Sequence, residues 1–309
     1  MNPDPKHGKV PQVGPDVAEY IDRFLEAKTA ANTRRAYRCA LLEFLDGARG
    51  MEDLVKVQPD EIVAHRNNLR AAGAEPTTVN ARLCAIRGFF RSLKARGIVQ
   101  NNPAEAELVP GYRVTDVSKA NGLTPEELRA LLATCDDSLM GLRDRAILHV
   151  GVIEGLRRSE ISALNLDSIQ KDGEHRILVL RDTKGGHMAK IKLDARVYDA
   201  IQDYLAARGG QLNPRDPIFV SCSRNGSRAC RLSAESVNDI IQRHAARAGL
   251  AKIITAHSMR HTNATLSIDA GAPVQKVQRQ LRHKDPKTTM RYYRNMDDLR
   301  KAGSDYVSW

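Results

Sequence analysis

No run of apolar residues in this 309-residue chain approaches the roughly 18 that a membrane-spanning helix requires. The first residues, MNPDPKHGKVPQVGPD, are polar and proline-rich and lack the apolar core of a secretory signal, so a cytoplasmic protein is expected. No CxxC pair is present. The five cysteines, Cys39, Cys84, Cys135, Cys222 and Cys230, are odd in number and scattered, which predicts reduced and mostly buried thiols rather than disulfides or zinc ligands. Neither GxxxxGK[ST] nor GxGxxG occurs, and no acidic cluster with metal-ligand spacing stands out, so nucleotide, dinucleotide and metal-nuclease chemistry are not indicated. What is abundant is positive charge. The formal net charge is +11 and hydrophobic residues make up 42%, enough for genuine cores. A basic protein of this kind suits an anionic partner, nucleic acid first among them.

The periodicity of the chain predicts two domains. Residues 1–14 read as an arm. Residues 15–105 read as four helices, punctuated by Pro15, Pro59, Gly73, Pro76 and Gly97. Arg34, Arg35 and Arg38 on the second of these helices, and Arg87, Arg91 and Lys94 on the fourth, lie away from the apolar faces and are candidates for contact with DNA phosphates. Residues 106–122 lose helical periodicity and read as a linker. A second domain, 123–309, opens on Thr124, Pro125 and Glu127, a capping box with proline at the first helical position. A buried helix then runs into GLRRSE, which places Arg157 on a turn, where pairing with Glu154 or Glu160 is the structural alternative to ligand binding. HRILVLRD and MAKIKL are β-like runs around the turn TKGG, which carries Lys184. The fold class is therefore mainly α with a small β-hairpin.

The stretch from Thr255 to Tyr293 carries the chemistry. His257 and Arg260, three apart, share one helix face and can bind one phosphate jointly. His283 follows, then Tyr292 and Tyr293. A tyrosine hydroxyl is a usable nucleophile where its surroundings offset a pKa of roughly 10. Arg, His and Tyr on one phosphate point to covalent phosphoryl transfer.

The ordered set GLRRSE, lysine hairpin, HSMRHT, LRH and tyrosine resembles the tyrosine recombinase (phage integrase) family over nearly the whole chain. The resemblance implies an N-terminal SAM-like core-binding domain and a C-terminal mixed α/β catalytic domain. It implies Arg157 and Arg260 as phosphate-binding arginines, Glu160 as a supporting acid, and Lys184 as the hairpin lysine. It further implies His257 and His283 as hydrogen-bonding partners and Tyr292 as nucleophile. No metal and no other cofactor is required. Arg282 stands where relatives usually carry glycine, and is either a further DNA contact or a tolerated departure; Lys190 is an alternative hairpin lysine and Tyr293 an alternative nucleophile. The implied partner is double-stranded DNA with a specific site, bound by a homotetramer on two sites, with the C-terminal segment packing on a neighbouring subunit. A type IB topoisomerase-like enzyme and a catalytically silent DNA-binding protein of the same fold are the alternatives.

Overall fold

The computed structural model describes residues 11–114, 122–181, 188–221, 230–283, 285, 286, 289 and 290. The chain divides into two compact units, Met1–Thr115 and Asp116–Trp309. Among the described residues no helix is long and apolar enough to cross a membrane.

The first unit is helical: α1 (Pro15–Glu26), α2 (Ala31–Phe44), α3 (Met51–Lys56), α4 (Pro59–Ala71) and α5 (Pro76–Ala95). Pro15, Pro59 and Pro76 each stand at a helix start, where the missing N–H costs nothing. The 20-residue α5 is the axis of this unit. It buries Val79, Leu83, Ile86, Phe89, Phe90 and Leu93, and Phe24 and Phe44 meet Phe89 and Phe90 edge to face. The sequence predicted four helices; the fifth is the short α3, anchored by Leu54.

The start of the predicted linker belongs to this unit. Val109 is fully buried in its core. Asn80 exchanges two hydrogen bonds with the backbone of Tyr112, at 2.8 and 2.9 Å. Arg87 donates to the carbonyls of Ala104 at 2.7 Å and Val109 at 3.0 Å.

The second unit contains α6 (Pro125–Ala133), α7 (Leu139–Ile153), α8 (Arg158–Ala163), a 3-10 turn at Leu166–Ser168, and three strands. These are β1 (Ile169–Asp172), β2 (His175–Leu180) and β3 (Ala189–Lys192); α9 (Ala195–Arg208), α10 (Ala234–Arg247), α11 (Ala256–Asp269) and α12 (Val274–Leu281) follow. The hairpin read from the sequence is β2 and β3, paired antiparallel with Leu178 opposite Ile191, and β1 adds a third antiparallel strand on the far side of β2. The turn that joins β2 to β3, with Lys184, lies outside the described residues.

α7 is the central helix of this core. It is apolar nearly all round and buries Ala146, Ile147, Leu148, Val150 and Val152, which lets α9 and α11 both pack on it. Its one charged pair, Arg143 and Asp144, is buried and satisfied: Asp144 also accepts from His244 Nε2 at 3.2 Å, and Arg143 donates to the carbonyl of Val220. Cysteine burial differs from expectation. Cys135 is buried, but Cys39, Cys84 and Cys230 are exposed, all four as free thiols.

Candidate active site

The end of α7 and the start of α8 form the first half of the site. Gly155 turns the chain at φ +61°, a left-handed conformation that an L side chain adopts only at a cost. Arg157 is then the N-cap of α8, and Glu160 closes a capping box by accepting the Arg157 backbone N–H at 2.9 Å. The same carboxylate accepts the Arg157 guanidinium at 2.7 Å through Oε1. Glu154, the other candidate partner, does not pair with Arg157 in this way. Glu154 is the C-cap residue of α7, and its carboxylate accepts from the Asp194 N–H at 2.8 Å and from Gln280 at 3.0 Å.

α11 supplies the second half. Its Met259 faces the core, which turns Arg260 toward the end of α7. Arg260 is 3% exposed and donates to the carbonyl of Gly155 at 2.7 Å and to that of Leu281. One turn on, Asn263 donates to the carbonyls of Val152 and Ile153 at 3.0 and 2.7 Å. Three of the orphan carbonyls around the end of α7 are thus held by α11 side chains.

Arg157, Arg158, Asn238, Thr255, Ala256, His257 and Arg260 line one open cleft of about 300 Å³. The N-terminus of α11 also lies at the cleft, where its dipole favours an anion, with the Ala256 and Ser258 N–H groups held by Asn238 and Thr255. Burial of its ring, and then the nearby Arg260 and Arg157, push the His257 pKa below its usual value. For His283 the same causes act more strongly, with burial first, and its pKa is pushed down to about 4. Both imidazoles are therefore neutral at pH 7, able to accept a proton as well as donate a hydrogen bond. His283 follows α12 directly, and its Nδ1 is 2.8 Å from Oγ1 of Thr289, a fully buried threonine that sequence reasoning did not single out.

Glu160 is 2% exposed at its side chain. Burial opposes its ionisation, but Arg282 and Arg157 outweigh this and hold its carboxyl below the usual range. Arg282, expected from the sequence as a DNA contact, has its partner within its own unit. Its side chain is 11% exposed and its Nη2 lies 2.6 Å from Glu160 Oε2.

The other basic candidates sort by what they touch. Arg87 is partly buried and donates to two carbonyls of its own unit. Arg34 donates to the carbonyls of Lys28 and Thr29, Arg38 pairs with Asp22, and Lys94 pairs with Glu105. These groups are exposed and can exchange such partners for phosphate. Arg35 and Arg91 are exposed and make no hydrogen bond or ion pair among the described residues. Lys190, the alternative hairpin lysine, is in β3 and faces Asp172 at 3.4 Å. Lys184, Tyr292 and Tyr293 lie outside the described residues. Among the described residues no group of three or more His, Cys, Asp or Glu is placed to hold a metal.

The sequence pattern of the phage integrase family matches residues 121–298. The chain belongs to that family. The phage integrase N-terminal SAM-like domain matches residues 17–97. Among relatives of this integrase-family chain, a tyrosine recombinase XerC of Pelobacter propionicus is 35% identical over 219 residues, which are 68% of this chain and 66% of that protein. A tyrosine recombinase of Synechococcus elongatus is 29% identical over 296 residues, 92% of this chain and 89% of that one. Two of the solved structures that share the fold are integrases. A lambda integrase dimer bound to a core site superposes with a TM-score of 0.71 at 18% identity, covering 94% of this chain and 98% of that one. The Tn1549 transposon integrase in complex with a circular intermediate DNA also reaches 0.71 at 18%, covering 94% and 99%.

Proposed function

We propose that this integrase-family chain is a site-specific recombinase that cuts and rejoins double-stranded DNA through a 3′-phosphotyrosyl intermediate. The observation that carries the reading is the cleft in which Arg157, His257 and Arg260 meet, drawn from segments far apart in sequence. A scissile phosphate gathers negative charge on its non-bridging oxygens as it is attacked. Guanidiniums remain charged and bind such oxygens through paired N–H groups, so they stabilise the transition state more than the ground state.

Tyr292 is the nucleophile. Its oxygen forms a bond to phosphorus as the bond to the 5′-oxygen breaks, and its proton passes to a neutral imidazole, His257 or His283. The leaving 5′-oxygen takes a proton from Lys184. The phosphotyrosyl bond retains the phosphodiester's energy, so the 5′-hydroxyl of a partner duplex rejoins the strand without a nucleotide cofactor. The enzyme acts in the cytoplasm as a homotetramer on two DNA sites, with the segment after Tyr292 packing on a neighbouring subunit. Arg35 and Arg91, with Arg34, Arg38 and Lys94, meet backbone phosphates.

The test is covalent trapping. Wild type and Tyr292→Phe are incubated with nicked duplexes taken from the DNA flanking the gene, in EDTA and without ATP, and resolved on a denaturing gel. The expected result is a protein–DNA adduct with wild type alone. An adduct with Tyr292→Phe moves the nucleophile to Tyr293. Tight binding without an adduct on any duplex supports the silent DNA-binding protein. An adduct with relaxation of supercoiled plasmid but no exchange between two labelled duplexes supports the topoisomerase-like reading.

A further inference from the structure

Arg282 is the single non-glycine residue with positive φ among the described residues, at +53°. It ends α12 in the left-handed conformation, where glycine meets no steric penalty and arginine does. Its Nε is also buried without a hydrogen-bond partner among the described residues. Both features cost stability, and such costs persist where the surroundings use the residue for something else.

What Arg282 holds is informative. Its Nη1 donates to the carbonyl of Gln280 at 2.7 Å and its Nη2 to Glu160 at 2.6 Å. Glu160 is thus shared: Oε1 takes the Arg157 guanidinium, and Oε2 takes the Arg157 backbone N–H and Arg282. The two arginines differ in freedom. Arg157 is 30% exposed at its side chain and faces the cleft, whereas Arg282 is 11% exposed and pinned at both ends of its guanidinium. When a phosphate draws the Arg157 guanidinium into the cleft, Arg282 remains to neutralise the buried carboxylate. The residue after Arg282 is His283, so the same contact ties the site's histidine to the first turn of α8.

We propose that Arg282 is a positioning residue of the cleavage reaction: through Glu160 it sets the Arg157 guanidinium, and through the end of α12 it sets His283. The inference rests on the recombinase reading above. The charged groups facing Glu160 are Arg157 and Arg282; Arg181, across the adjoining cavity, is paired with Asp167.

The experiment measures single-turnover adduct formation from pH 5 to 9 on the nicked duplex that traps wild type, with DNA affinity and Tm recorded alongside. The variants are Arg282→Gly, Arg282→Lys, Glu160→Gln and the double variant Arg282→Gly/Glu160→Gln. Arg282→Gly suits the left-handed turn but lacks the guanidinium. It is expected to cleave on the order of tenfold more slowly, with DNA affinity within about threefold of wild type, in the range of a lost charged hydrogen bond. Its acidic limb moves to higher pH, because Glu160 and His283 both lose a neighbouring cation. In the double variant the two losses do not multiply, because they act through one contact. Arg282→Lys restores part of the rate and keeps the inference testable should the glycine variant fail to fold. An unchanged rate and pH profile in Arg282→Gly, multiplicative losses, or a loss of DNA affinity equal to the loss of rate would overturn the assignment. Absence of an adduct with wild type refutes the recombinase reading instead, which separates the two failures.

Discussion

Adding one methyl group at Gly155 is expected to unfasten the site and the domain together. A Cβ built there lies 2.5 Å from Cδ2 of Leu281 and 3.3 Å from the amide of Asn263. Leu281 is fully buried and cannot swing aside without disturbing its neighbours. Left-handed backbone costs a non-glycine residue roughly 1–2 kcal/mol, and an extra methyl forced into a packed core costs roughly 1–3 kcal/mol. Gly155→Ala should therefore destabilise the catalytic unit by about 2–5 kcal/mol, on the order of 5–20 °C in Tm for a unit of this size. Calorimetry of wild type, Gly155→Ala, Leu281→Ala and the double variant separates the two contributions. Leu281→Ala opens the space the new methyl needs, so the double variant should lose about 1–3 kcal/mol less than the sum of the singles, while the backbone penalty stays. Adduct formation should fall as well, because the Gly155 carbonyl is an acceptor for Arg260 and Arg157 is two residues on. A Gly155→Ala protein with wild-type Tm, or a double variant that shows plain additivity, would refute this account of the turn.

Arg157→Ala should lower single-turnover cleavage by about 2–4 kcal/mol of transition-state stabilisation, with Tm nearly unchanged because Glu160 keeps Arg282; a thermal scan and a trapping time course check both. Lowered pKa values also set a stability window. His283 titrates at about 4 in the folded protein against an ordinary value near 6.5, so its contribution is fully present above 6.5 and is lost as pH falls toward 4. His257 shifts in the same direction, so urea midpoints should decline between those limits, and His283→Gln should flatten the decline. In the first unit, Arg35→Ala and Arg91→Ala should each weaken DNA binding and reduce the salt slope by about one, without change in Tm. Arg87→Ala should instead lower Tm, because two carbonyls lose a charged donor.

Much of this molecule was legible as sequence because its chemistry is spaced along helices. His257 and Arg260 share a face of α11 whatever α11 packs on, and the apolar circumference of α7 announced a buried helix. The readings that failed are those in which a distant side chain decides a local structure. Residues 106–112 have a linker's composition, yet Asn80 and Arg87 reach across from α5 to fix them. α3 has six residues, too few to display a helical period, and β1 is exposed along most of its length, so neither carries a pattern. The pairing of Arg282 could not be read from the sequence because its partner, Glu160, is 122 positions away. The capping box at Thr124, whose side chain accepts the Glu127 N–H, needed no such partner and is where its residues placed it.

α11 and α12 bring their parts of the site by different attachments. α11 buries Ala256 and Met259 in the main core of the unit, so His257 and Arg260 leave their places only when that core opens. α12 is fastened by a satellite cluster in which Val277 and Leu281 meet Ala264 and Ile268, and by the polar ties of Gln280, Leu281 and Arg282 to Glu154, Arg260 and Glu160. Exposing two such side chains and breaking these ties costs less than opening an entire core. Amide protons of α12 should therefore exchange through a local opening and those of α11 through global unfolding. On the recombinase reading, the phosphate site thus has one wall rooted in the main core and one, carrying His283, on a separately fastened helix.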